Sequence, residues 1–533
     1  MPSGPGRYGM KVRGLALAGA LALLALAFGP AAAASTPSVG AAAPPPATWA
    51  PPDPVVTVGP QVVGRPVASG FVGLSLEYRT ILSYAGTDPG AINPVFVRLL
   101  WNLAPGQQPV LRVGGDSTDW TWWPVPKMKR PRGITYDITQ DWLEVARALA
   151  HASYARYILG INLEAGSDAI ERAEARALLA GIGRAHIEAL ELGNEPELYS
   201  KLGWYRSGTR HVPGRPASYS FQGFTAEVSS FRKVISPLLI AGPSTGSFWW
   251  LTNLAQFLAA EPSLGLVTVH SYWLNKCLNT PSLPGYPSVA HLLRPFPPSR
   301  LAGALARYAS LAHARGIPIR IDEMNSVTCG GEHGVSDVFA SALWALNALF
   351  EAASDGVDGV NLHTFPGTAN QLFGFTRVGG RWAATVRPEY YGLLMFAQAA
   401  PPGAKLLSII QQNTGQTRAW ATLGKDGYTR VLLINDSLTH STSVLVRAST
   451  PEEPAQLGRL LAPSAQAAGG ITLDGQSFEI PTTTGKLSGT STTVAMPAPS
   501  GPGPIAAYVV PLPAASAALL TIGPEPLSGS ARR

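Results

Sequence analysis

In IEALELGNEPELY, residues Ile187–Tyr199, a strand-like apolar run stops on Gly193, Asn194, Glu195 and Pro196. Glutamate is a poor strand residue and is rarely buried without a partner. A strand that delivers an amide and a carboxylate side by side needs a reason at its end.

Working outward, the same kind of run recurs: FVGLSLE (71–77), PVLRVGG (109–115), ARYILGINL (155–163), PLLIAGP (237–243), GLVTVH (265–270), IPIRIDE (317–323) and VDGVNLH (357–363). Amphipathic stretches lie between them. In ITQDWLEVARALAHA (138–152), Leu143, Val145, Ala146 and Leu149 recur at helical spacing. Strand followed by helix, repeated, predicts parallel βα units. Eight such units favour a closed (β/α)8 TIM barrel over an open sheet. No GxGxxG turn follows the first strand, which argues against a dinucleotide fold. From about residue 393 the helical periods give way to short alternating strands with frequent turn signals, as in TRAWATLGKDGYTRVLLINDS (417–437). These predict a C-terminal all-β sandwich.

The remaining segments are read from composition. Lys11 and Arg13 precede the apolar run GLALAGALALLALAF (14–28), and PAAAAS follows it. That is the pattern of a secretory signal peptide, with Met10 as a second possible start. The run is too short for a comfortable membrane span. The expected organisation is a signal peptide over 1–34, an Ala/Pro-rich linker over 35–54, a catalytic barrel over 55–392, a β-sandwich over 393–523 and a tail over 524–533. Residues 55–67 form a hairpin that either joins the sandwich or plugs the barrel. The mature protein is expected to be extracellular, with no membrane attachment after cleavage. Removing Arg7, Lys11 and Arg13 leaves 37 basic against 33 acidic residues, a net charge near +4. This hints at acidic substrates and does not signal nucleic-acid binding. Cys277 and Cys329 are an even pair in a secreted chain and are expected to form a disulfide, with two free, buried thiols as the alternative.

Chemistry collects at the C-terminal ends of barrel strands. Those ends carry Glu77, Asp116, Asn194 with Glu195, His270 with Tyr272, Glu323 with Asn325, and Asn361 with His363. Glu195 and Glu323 close the fourth and seventh runs and are expected to converge across the mouth. Paired carboxylates are the machinery of glycoside hydrolysis: one gives a proton to the leaving oxygen and the other attacks the anomeric carbon. The structural alternatives are a cap beside Pro196 for Glu195 and a salt bridge to Arg320 for Glu323. His270 and His363 are single residues on different strands, so no metal site and no cofactor are expected.

ELGNEPELY and IDEMNS, with FVGLSLEY, LRVGGDSTDW and NSVTCGGEHGVSDVFASALWALN, resemble glycoside hydrolase family 79, the β-glucuronidase and heparanase family of retaining clan A barrels. The resemblance covers essentially the whole mature chain. It implies Glu195 as acid/base, Glu323 as nucleophile and Asn194 as the residue that binds the sugar 2-hydroxyl. It also implies that Tyr272 hydrogen-bonds the nucleophile and that Glu77 and Asp116 hold ring hydroxyls. Asn325, His270 and His363 complete the expected substrate-binding set. The loops SVTCGGEHG and TFPGTANQLF lack the tyrosine through which the family's glucuronidases bind the sugar carboxylate. Backbone amides beside Gly330, Gly331 and Gly367 are the remaining candidates for that role. The expectation is a secreted retaining β-glycosidase acting on a carbohydrate, with glucuronides leading. A β-glucosidase or diglycosidase on the same scaffold, or a non-catalytic carbohydrate-binding protein, remain as alternatives.

Overall fold

The computed structural model describes residues 54–235, 239–294, 304–448, 454–496 and 506–523. The expected signal segment, all but the last residue of the 35–54 linker and the 524–533 tail lie outside the described residues. Eight parallel strands close a barrel: β1 (Val72–Glu77), β2 (Val110–Gly114), β3 (Arg156–Ile161), β4 (Ile187–Leu192), β5 (Ile240–Thr245), β6 (Leu264–Leu274), β7 (Ile319–Val327) and β8 (Gly359–His363). The barrel predicted from the alternation is therefore present. β6 and β7 run four residues past their expected ends, which carries Tyr272 and Asn325 within strands.

Strand periodicity sorts the side chains into two shells. Leu111 and Val113 of β2, Leu190 and Leu192 of β4, and Ile319 and Ile321 of β7 face outward into the main apolar cluster. The alternate positions point into the barrel. Its floor is a small apolar plug of Val110, Ile158, Ala189, Ala241 and Leu266. Polar residues fill the rest of the interior. Arg320 donates to Asn361 and to the carbonyls of Gly70 and Phe71, and Asn361 donates to the carbonyls of Leu74 and Val110. Arg320 and Asn361 therefore brace the barrel from within, and the alternative pairing of Arg320 with Glu323 is not formed.

The helices meet their sequence signals. Thr139 caps the helix Gln140–Ser153 by accepting from the Trp142 N–H, and this helix buries Trp142, Leu143, Val145, Ala146 and Leu149. The helix Phe339–Ser354 is buried along nearly its whole length, because the barrel lies on one side and the β region on the other. Trp420 of the β region stacks on its Phe350 at 5.6 Å, and the Trp420 indole N–H donates to Asn347.

The β region is one hydrogen-bonded sheet of ten strands. Val55–Val63 belongs to it, antiparallel to Lys405–Gln412 and parallel to Thr442–Ala448. Strands from both ends of the sheet bury side chains in a single cluster, including Val56, Val431, Val446, Leu457 and Val510. The sheet therefore curls over its own face, giving the all-β region expected after the barrel. The opposite face, with Leu432 and Ile434, joins the barrel's core. A helix, Pro388–Ala399, runs across the expected 392/393 boundary. Among the described residues no helix is long and apolar enough to cross a membrane.

Candidate active site

β4 ends on Leu192, and the chain turns sharply through Gly193 and Glu195, at φ of 78° and 46°. Glu195 takes a left-handed conformation unusual for a non-glycine residue. Its backbone N–H donates to the Ser244 carbonyl at 2.9 Å, tying the turn to the end of β5. Its carboxylate meets His270 Nδ1 at 3.0 Å and is partly open to solvent.

Glu323 reaches the mouth by a different device. Neighbouring residues on a strand face opposite ways, yet Asp322 and Glu323 both point into the barrel. The register of β7 shifts against both partners at this point: Val269 pairs with Ile321 but His270 with Glu323, and Ile321 pairs with Val360 but Met324 with Leu362. This β-bulge inserts one residue and re-aims the next. Beyond it, Met324 is again outward in the core.

Three groups grip the Glu323 carboxylate. Oε2 accepts from Arg112 Nη1 at 2.6 Å, and Oε1 accepts from the Tyr272 hydroxyl at 2.8 Å with His363 Nδ1 at 3.1 Å. Burial alone would raise its pKa, but His363, His270 and Arg112 hold it well below the usual carboxylate range. The two histidines answer in the opposite sense. Burial opposes their charge, yet Glu323 and the carboxylates around it raise His270 to about 9 and His363 to about 10. Carboxylate oxygens of Glu195 and Glu323 and a ring nitrogen of His270 lie within 4.8 Å of one another. These three are the only described residues grouped closely enough to hold a metal ion. A cation there would compete with Arg112 and His363 for Glu323, so the donor set fits an ion pair network better.

The other rim residues sort into two groups. Asn194 accepts from Arg112 Nη2 at 2.8 Å and donates toward Asp116 at 3.4 Å. Glu77 accepts from the Ser117 N–H at 2.8 Å and contacts His363 Nε2 at 3.1 Å. Glu77, Asp116, Asn194 and Tyr272 thus stand together around the mouth. Asn325 does not. It is fully buried, donates to the His363 carbonyl and accepts from Ser326, so it braces β7 against β8 behind the site. His270 and His363 stand at the mouth with both nitrogens of each ring engaged by protein groups. Carboxylates of Glu195, Glu77 and Glu323 are among those partners.

Beneath the mouth lies a layer that the motif reading missed. Arg112 is fully buried on β2 and contacts Glu191, Asp322 and Glu323. A Cβ at Gly114 would lie 2.6 Å from Arg112 Nε, so that glycine makes room for the guanidinium. Asp322 and Glu191 are both fully buried against this guanidinium. Burial and Glu191 push the Asp322 pKa well up, while Arg112 holds Glu191 down despite its burial. A lone arginine inside the apolar run PVLRVGG was the available signal. Asp119 was also missed. Its carboxylate accepts from the backbone N–H groups of Leu163, Glu164 and Asn194 and from the Tyr199 hydroxyl, joining the ends of β2, β3 and β4.

Cys277 and Cys329 are the pair expected to form a disulfide. Cys277 and Cys329 are free, exposed thiols. They are close enough to hydrogen-bond, and burial with the neighbouring Cys277 raises the Cys329 pKa. Two of the amides proposed for a sugar carboxylate are also engaged: Gly331 N–H donates to the Thr328 carbonyl and Gly367 N–H to Gln371 Oε1.

No protein-family model matches the chain. A β-glucuronidase of Aspergillus niger is 24% identical over 480 residues, covering 80% of this chain and 86% of that protein. A β-glucuronidase of Neurospora crassa is 23% identical over 505 residues, covering 79% and 87%. Among solved structures, a 4-O-α-L-rhamnosyl-β-D-glucuronidase from Fusarium oxysporum aligns over 87% of this chain and 100% of its own, with TM-score 0.64 and 20% identity. An α-L-arabinofuranosidase from Thermotoga maritima aligns over 88% and 99%, with TM-score 0.61 and 16% identity. The solved structures are alike in fold.

Proposed function

We propose that this protein is a retaining β-glycosidase of the family 79 type that hydrolyses glucuronides by double displacement. The observation that carries the reading is the approach of the Glu195 and Glu323 carboxylates to within 4.8 Å. Retaining enzymes hold their pair at about 5 Å, whereas inverting ones leave about 6.5–9.5 Å for a water. The β-glucuronidases among the relatives support the substrate class.

Each side chain then has a task. Glu323, kept ionised by Arg112 and the two histidines, attacks the anomeric carbon. Glu195 gives its proton to the departing glycosidic oxygen as that bond breaks. Water then attacks the glycosyl-enzyme, loses a proton to Glu195, and Glu323 leaves as carboxylate. Tyr272 shares Glu323 Oε1 with His363 and steadies the nucleophile before attack. Asn194, oriented by Arg112 and Asp119, presents its amide to the sugar 2-hydroxyl. The protein acts outside the cell once its N-terminal segment is removed. The same machinery serves a neutral glucoside equally well, and the lack of a tyrosine in the loop after β7 keeps that second reading.

Aryl β-glucuronide and aryl β-glucoside tested side by side separate the two. Proton NMR of the first-formed sugar is expected to show the β-anomer. A first-formed α-anomer would rule out the retaining mechanism, and no turnover of either substrate would remove the hydrolase reading. Glu323→Ala is expected to abolish turnover, with azide restoring bond cleavage and yielding an α-glycosyl azide.

A further inference from the structure

Glu195 defines the side of the cleft from which the leaving group departs, so the walls on that side select it. β5 pairs with β4, and its loop lies beside Glu195. The approach is close: a Cβ at Gly246 would sit 2.7 Å from Glu195 Oε1. Three residues later comes Trp249, and three residues of chain reach at most about 11 Å. Trp249 is 78% exposed, the most exposed large apolar side chain among the described residues, with Phe248 beside it at 36%.

The exposure follows from how the turn is anchored. Trp250 is buried against Phe221, Phe224 and Tyr219, with ring centroids at 5.2, 5.7 and 6.4 Å. The Trp250 and Leu251 N–H groups donate to the Ser247 carbonyl, and the Thr252 hydroxyl donates to the Trp249 carbonyl. Successive residues of a helical turn point about 100° apart. Burying Trp250 therefore turns Trp249 outward on a held backbone. A large indole exposed to water on the loop that passes Glu195 has no packing role to explain it.

We propose that Trp249, flanked by Phe248, is the platform on which the leaving group stacks through a flat ring face. Two chemistries present such a face, the C–H side of a pyranose and an aromatic ring. Both stack on indole. The inference rests on the hydrolase reading, because the leaving-group side is defined by Glu195 as the proton donor.

The test compares wild type with Trp249→Ala and Trp249→Phe on three substrates that share the preferred glycone. These are the methyl glycoside, the 4-methylumbelliferyl glycoside and a disaccharide. In Trp249→Ala, kcat/KM is expected to fall by about tenfold on the ring-bearing substrates, through KM, and to stay unchanged on the methyl glycoside. Trp249→Phe is expected to restore most of the loss. A fall confined to the umbelliferyl substrate identifies an aromatic leaving group, and one confined to the disaccharide identifies a sugar. Equal losses on all three substrates, or none on either ring-bearing one, would overturn the platform while leaving the hydrolase reading intact. A wild type inactive on every substrate would overturn both. The side chain is exposed, so an unchanged melting temperature is expected for both variants.

Discussion

Arg112 occupies a position on β2 that an apolar residue would fill in an ordinary barrel, and its surroundings explain it. Glu191, Asp322 and Glu323 surround it, and Asn194 accepts from it. A buried cation facing several carboxylates balances charge that would otherwise be prohibitive. Arg112→Met is expected to cost about 3–5 kcal/mol in denaturant unfolding, because it leaves carboxylates buried without their partner. It also removes one of the charges that hold Glu323 ionised. The acid limb of the kcat/KM profile should therefore move to higher pH, and an unmoved limb would show that the histidines alone set the nucleophile. Glu195 is tested by its double duty. In Glu195→Ala, alkyl glycosides should lose about three orders of magnitude in rate, since their leaving groups need the proton. Nitrophenyl glycosides need little help to leave but still lack a base for the second step. They should give a burst of nitrophenol followed by slow turnover, and equal losses without a burst would make Glu195 a structural residue.

At the scale of elements, the site is assembled by links between strand ends. Asp119 follows β2 yet accepts from N–H groups after β3 and β4 and from Tyr199. Asp119→Ala leaves those buried donors unmet and should destabilise the fold by about 3 kcal/mol. It should also lower kcat, because the Asn194 backbone is one of the groups it holds. A variant that loses stability but keeps full kcat would separate the brace from the chemistry. The strand ends that supply Glu77, Asn194, Glu195, Tyr272 and Glu323 were legible from residue type at the end of each apolar run. The burial of Asn325 was not, because its partner, the His363 carbonyl, reaches it only when β7 pairs with β8.

For the whole molecule, the buried titratable groups set how stability varies with pH. Burial raises Glu174 well above its ordinary range and Glu389 to about 8. His270 and His363 are raised from 6.5 to about 9 and about 10, chiefly by Glu323 acting against burial. In every case the folded state holds protons more tightly than the unfolded one. Stability must then fall as pH rises: from 4.5 to about 8 for Glu389 and from 6.5 to about 9 or 10 for the histidines. Glu323 acts in the opposite sense, because its folded pKa is depressed below 4.5, and its contribution is lost only as the solution becomes more acid than that. The melting temperature is expected to peak on the acid side of neutrality and to decline steadily toward pH 9, as scanning calorimetry across buffers would reveal. A melting temperature that rose between pH 6 and 9 would contradict these shifts.

The alternation of apolar runs with amphipathic helices determined the barrel, since period-2 and period-3.6 patterns bury their faces only in a βα arrangement. Residue type at the run ends determined which strands carry the carboxylates. The partners of those carboxylates were decided by the tertiary structure alone. Arg112 and Glu323 are 211 residues apart in the chain and 2.6 Å apart in space. The inward turn of both Asp322 and Glu323 and the curl of the ten-stranded sheet belong to the same class. Local pattern specifies which face a side chain prefers, whereas register, contact and distance arise only when separate strands meet.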